Sequence, residues 1–170
     1  MSGALRLAAL SCALAALPCA ALAQAKPDLS GRWQLDVAAS DYGQNPGPRQ
    51  ETDTIDLTET QLRLHVASTT RDITETYDLS LPLDGRMVTV DGGVHVDPAR
   101  ILTAASARWD GPVLVLHQRL ATDSGPFEAV SRYALSSDGT TLSVQLATAD
   151  GRPIRVLVYD RCAAPSGPCR

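Results

Sequence analysis

Lysine is almost missing from this chain: Lys26 is the only one, and the arginines are scattered singly along the sequence. With no basic cluster and an acidic excess, the chain lacks the electrostatic footprint of a nucleic-acid or anionic-membrane partner. Aromatic residues make up only 4% of the chain, with Phe127 the one phenylalanine. G-x-S-x-G, H-E-x-x-H, P-loop and dinucleotide fingerprints are all absent, so no nucleophile, base or phosphate cradle can be assigned. The expectation is a protein that is not an enzyme and carries no cofactor and no metal. Beyond the first residues, no apolar run reaches the ~20 residues a membrane helix needs, and no helical period lasts more than a turn or two.

The exception lies at the start. Residues 1–23 carry one charge, Arg6, then an apolar run from Leu7 to Leu17 and a small-x-small ending at Ala21 and Ala23. This pattern is that of a secretory signal cleaved before Gln24. Pro18 fits lipoprotein processing at Cys19 poorly, so lipidation is not expected. Cleavage removes Cys12 and Cys19 and leaves 14 basic against 19 acidic residues, a net charge of about −5. The expected mature protein is soluble and periplasmic or extracellular: one domain over 24–161, then a tail over 162–170. Cys162 and Cys169 in CAAPSGPC, bound for an oxidising compartment, are expected to close that tail as a disulfide.

What fills the mature chain is alternation. After DLSGRWQLD and a Gly- and Pro-rich loop over Ala39–Gln50 come TIDLT, QLRLHVAS, ITETYDLSL, RMVTV, RILTAASARW, VLVLHQRL, FEAVSRYAL, TLSVQLAT and IRVLVYD. Each is a short run with a period of two, which is the pattern of a half-buried strand. Asp-Gly pairs at Asp84, Asp91, Asp110, Asp138 and Asp150 read as hairpin turns, because both residues tolerate positive φ. Their irregular intervals do not form a calcium-loop motif. With no long crossovers, neighbouring strands should pair as an antiparallel meander.

Strand parity separates two faces. Trp33, Leu35 and Val37 share one side, with Leu62, Leu64 and Val66; Ile73, Tyr77 and Leu79; Ile101 and Trp109; and Leu114 and Leu116. Phe127, Tyr133 and Leu135, then Leu142, Val144 and Leu146, and finally Ile154, Val156 and Val158 complete it. One continuous apolar face on many short strands predicts an all-β up-and-down barrel, with a two-sheet sandwich as the alternative. Thr103, Ala105 and Ala107 are expected inward, where small side chains leave room for large neighbours or for a ligand.

DLSGRWQL resembles the G-x-W opening of the calycin superfamily, which includes lipocalins, fatty-acid-binding proteins and avidins. The ordered set that follows is similar to bacterial secreted lipocalin-like proteins: SDYG (Ser40–Gly43), ARWDG (Ala107–Gly111), SSDG (Ser136–Gly139) and VYDR (Val158–Arg161). The resemblance implies a calycin-like barrel whose closed end is plugged by Trp33, with Arg161 stacked on it and Gly31 permitting close chain approach. Two features of fatty-acid-binding proteins are missing. Arg132 and Tyr133 are adjacent, not the interior R-x-Y, and the Ala39–Gln50 loop has no helical-lid pattern.

His65 and His117 fall on the polar face and read, with His95, as surface histidines. Among the carboxylates, Glu75 is read as alternating with inward residues. The leading expectation is therefore a binding barrel holding a small, mostly apolar molecule among Tyr77, Ala105, Ala107, Trp109, Phe127 and Tyr133. Glu75 would be the polar anchor, and the cavity about 300 Å³ or more. The second expectation is a protein partner. Periplasmic metalloprotease inhibitors share the L-x-G-x-W-x-L start and act through an N-terminal trunk, for which Gln24–Pro27 is available.

Overall fold

The computed structural model describes residues 25–43, 46–97, 99–163 and 169; the segment expected to be a signal, its expected cleavage point and most of the tail lie outside them. Ten strands follow one another: β1 (Gly31–Leu35), β2 (Gln50–Leu57), β3 (Gln61–Thr70), β4 (Ile73–Pro82), β5 (Val88–Asp97), β6 (Arg100–Asp110), β7 (Val113–Thr122), β8 (Gly125–Leu135), β9 (Thr141–Thr148) and β10 (Pro153–Arg161). All neighbours pair antiparallel in one sheet of order β4-β3-β2-β1-β10-β9-β8-β7-β6-β5. The fold is all-β and up-and-down, a nearly closed barrel. Its seam lies between β4 and β5, the two strands at the ends of that order. The connecting residues partly bridge the seam: Asp84 pairs with Arg108, and Gly85 N–H donates to the Ala107 carbonyl.

Turn chemistry accounts for most of the meander. Gly111, Gly139 and Gly151 follow aspartates in the β6–β7, β8–β9 and β9–β10 turns with φ of 58°, 74° and 88°. The Asp91-Gly92 pair is different. It sits inside β5, where the register against β6 shifts between Thr89 and Val94. Two consecutive positive-φ glycines, Gly92 and Gly93, bulge the strand instead of ending it.

The inner face holds Trp33, Leu35, Leu62, Leu64, Val66, Leu79, Leu81, Leu114, Leu116, Tyr133, Leu142, Val144 and Leu146, all buried. Four sequence expectations need correction. Val37 lies past the end of β1 and is exposed, and Ile73, at the β3–β4 turn, is 62% exposed because the hairpin runs beyond the core. In β6 a register shift between Leu102 and Ala104 moves Leu102 inward and leaves Thr103 exposed, with its hydroxyl donating to the Arg119 carbonyl; Ile101 is only half-buried.

The last correction concerns β10. Leu157 and Tyr159 are buried, whereas Ile154, Val156 and Val158 are half-buried. The register Trp33↔Arg161 explains why. Once Arg161 shares the inner side with Trp33, parity also turns Tyr159, Leu157 and Arg155 inward.

The closed end is riveted at that register. Trp33 is fully buried and its Nε1 donates to the Leu29 carbonyl at 2.9 Å. The Arg161 guanidinium carbon lies 4.3 Å from the Trp33 ring centroid. Its three nitrogens donate to the carbonyls of Gly139, Ser30 and Asp28 at 2.7, 2.8 and 3.0 Å. Gly31 has φ 136°, and a Cβ there would stand 3.2 Å from Arg161 Nη1, so a side chain would press on this clamp.

Candidate functional site in the barrel interior

Above the Trp33 floor, the core gives way to a cavity of about 70 Å³. That is room for about two water molecules and well below the ~300 Å³ expected of a preformed ligand pocket. Val66, Leu120, Phe127, Val144, Leu146 and Leu157 form its apolar wall. Its polar content is concentrated in Glu51, Asp53, Gln118, Ser131 and Arg155, with the rings of Tyr77, Tyr133 and Tyr159.

Each polar group arrives by strand parity. In β2, Glu51 and Asp53 alternate with buried Ile55, so both carboxylates face inward. In β10, Arg155 and Tyr159 lie on the same side as Leu157. Four of these groups satisfy one another in two pairs: the Tyr159 hydroxyl donates to Glu51 Oε1, and the Ser131 hydroxyl donates to Gln118 Oε1 at 3.0 Å. Among the described residues, three buried side-chain atoms have no hydrogen-bond partner, Asp53 Oδ1, Arg155 Nε and the Tyr42 hydroxyl, and the first two belong to residues of the cavity lining. Asp53 is 97% buried.

The electrostatics follow from that burial. Desolvation, with the Glu51 charge adding to it, pushes the Asp53 carboxyl well above the ordinary carboxylate range, so the acid is held towards its neutral form. Burial likewise raises the phenols of Tyr77, Tyr133 and Tyr159, with the negative charges of Asp53 and Glu51 reinforcing the effect. The Arg155 charge opposes it at Tyr77 and Tyr133, so Arg155 and the acids act on the same rings.

At the open end, Arg100 pairs with Asp97 at 3.4 Å. An open depression of about 520 Å³ continues outward past Ile154 and Arg152, sharing Arg100 and Phe127 with the inner cavity. Phe127 therefore stands between a small polar chamber and a larger surface trough.

Of the residues expected to touch a ligand, Tyr77, Phe127 and Tyr133 line the cavity. Ala105 and Ala107 do not: they are fully buried lower in the core, among the packed side chains around them. Trp109 sits at the other end, bordering a surface depression with Pro27, Leu57 and Glu59. Glu75 is half-buried and pairs with Ser68 towards the end of the β3–β4 hairpin, outside the cavity lining. The interior acids are Glu51 and Asp53 instead. Reading Glu51 as the first residue after a loop hid them, since β2 begins at Gln50 and the same alternation that buries Ile55 carries back to both. Cys162 and Cys169 are disulfide-bonded, with Cα atoms 4.7 Å apart. Among the described residues, no three His, Cys, Asp or Glu side chains gather in a way that could hold a metal ion.

No protein-family model and no curated protein matches the chain. Solved structures do. A REP1-NXSQ fatty acid transporter aligns with a TM-score of 0.54 at 15% identity, covering 81% of this chain and 98% of its own. A secretory abundant heat soluble protein from Ramazzottius varieornatus aligns at 0.51 and 10% identity, covering 81% and 98%. Secretory abundant heat soluble protein 4 of the same organism aligns at 0.50 and 14%, covering 78% and 93%. At such identities the likeness is one of fold alone: an antiparallel up-and-down β-barrel.

Proposed function

We propose that this chain is an exported binding barrel that takes a small, mostly apolar molecule through its open end. The apolar body lies against Phe127 and Ile154 in the outer trough, and the polar end reaches the buried groups on β2 and β10. The observation that carries this reading is that Asp53 and Arg155, each with a buried, unpartnered polar atom (Oδ1 and Nε), both line one interior cavity. Buried polar groups are normally satisfied, so a cavity lined by two residues that are not is suited to a hydrogen-bonding guest. The fatty acid transporter among the structural neighbours supports binding over catalysis. Export rests on the signal pattern and agrees with the disulfide.

The inner chamber of about 70 Å³ admits only the ligand's end. The remainder occupies the trough beyond Phe127. Native mass spectrometry of the mature protein taken from its own exported pool, followed by denaturation and identification of what is released, tests the proposal. A stoichiometric small molecule supports it. An empty barrel whose melting temperature is unmoved by a lipid and isoprenoid panel overturns it.

The inhibitor reading is less well supported. Leu29 is fully buried and Arg161 holds the carbonyls of Asp28 and Ser30 against the barrel, so little chain is left to project as a trunk.

A further inference from the structure

We propose that the end of the ligand read inside the barrel is an uncharged group that both donates and accepts hydrogen bonds, an alcohol or a primary carboxamide, seated at Asp53 and Arg155. This inference rests on the interior being a binding site at all, and it adds the chemical class of the guest.

Three observations lead to it. The unmet groups are a donor and a two-way group: Arg155 Nε–H lacks an acceptor, and the Asp53 carboxyl, unpartnered at Oδ1 and held neutral, can donate or accept. An alcohol or a carboxamide serves both, whereas an ammonium offers Arg155 no acceptor. Charge points the same way. The cavity lining holds Glu51, Asp53 and Asp97 against Arg100 and Arg155. Arg100 is taken by Asp97 at the rim, which leaves Arg155 as the remaining cation of that lining to face Glu51 and Asp53.

With Asp53 held neutral by burial, Glu51 and Arg155 balance, and an uncharged guest preserves that balance. An anionic guest would leave a net negative charge in a buried chamber, beside a Glu51 already hydrogen-bonded to Tyr159. Size is the third constraint. A chamber of about 70 Å³ takes a compact head with at most a few attached carbons.

Calorimetric titration of the mature protein at neutral pH with octanol, octanamide, octanoate and octylamine tests the proposal. These probes share an eight-carbon skeleton and differ in the functional group at its first carbon. Octanol and octanamide are expected to bind about tenfold more tightly than octanoate or octylamine, the ratio that one unmet buried partner sets. Octanoate or octylamine binding as tightly as the neutral probes overturns the inference and leaves the binding reading standing. No binding by any of the four overturns both.

Two variants separate chemistry from folding. Glu51→Gln removes the competing negative charge while Gln can still accept from Tyr159, so octanoate should gain about tenfold in its own affinity and rise relative to octanol. A gain of binding cannot come from misfolding. Arg155→Met removes the donor and should weaken octanol about tenfold, with the circular dichroism spectrum unaltered. Unchanged octanoate binding in Glu51→Gln, or unchanged octanol binding in Arg155→Met, overturns the assignment.

Discussion

Trp33 and Arg161 face each other across the β1–β10 pair, indole ring against guanidinium at 4.3 Å. The contact closes the barrel floor and also ties the N-terminal segment to the β8–β9 turn, because the same guanidinium donates to carbonyls on both.

Arg161→Ala should therefore cost about 3 kcal/mol, combining a cation–π contact with three charge-assisted hydrogen bonds, each discounted for partial exposure. Urea unfolding followed by far-ultraviolet circular dichroism measures this. Arg161→Lys keeps the charge without the fork geometry and should recover less than half of the loss. Full recovery would mean that charge alone holds the floor.

Asp53 predicts a stability profile with a definite sign. Its carboxyl titrates higher in the folded chain than in the unfolded one. The native state then binds more protons than the unfolded state between the two pKa values, and stability falls as pH rises through that interval. Asp53→Asn removes the penalty. The variant should melt at least about 3 °C above wild type at pH 7 and no higher than wild type below about pH 3.5. A constant offset at every pH would show that the gain has nothing to do with ionisation.

Phe127 separates the inner chamber from the rim trough. Truncation to Ala should join the two spaces and speed the uptake of an apolar fluorophore in stopped-flow measurements. The stability cost should be about 1–2 kcal/mol, less than for a fully buried phenylalanine. Unchanged uptake would place the entrance elsewhere, with the β4–β5 seam the next position to open.

Cys162 and Cys169 close only chain that follows β10. Replacing both with serine should change the unfolding free energy by less than about 1 kcal/mol, because no barrel element lies inside the closed loop. A larger effect would mean that the tail packs on the barrel.

The barrel was legible in the sequence because alternation and turn chemistry act locally, residue by residue. QLRLHVAS and TLSVQLAT each offer one apolar parity, and the structure buries that parity in both. IRVLVYD offers two, and local pattern favours the β-branched set. Only the long-range register at Trp33 and Arg161 selects Leu157 and Tyr159. An interior Arg161 and an interior Val158 are in fact incompatible on one regular strand, so the sequence already held the means to choose.

The candidate site was less legible because its acids sit where a strand emerges from a loop. Hydrophobic pattern is silent there, and the bulge in β6 that displaces Thr103 leaves no residue-level mark. Glu75 shows the converse. Its parity is inward, but its hairpin extends past the cavity, and parity carries no information about height along the barrel axis.

The strand order has a consequence for the timing of assembly. Reading β4-β3-β2-β1 and then β10 down to β5, the sheet is two local meanders whose hydrogen-bonded junction joins the first strand to the last. A chain that folds as it emerges N-terminus first can form the first meander early, but β1 keeps an open edge until β10 has emerged. The floor, the interior acids and Arg155 then come together in one late step. Any partner that guards the nascent chain must shield that edge until the final strand arrives.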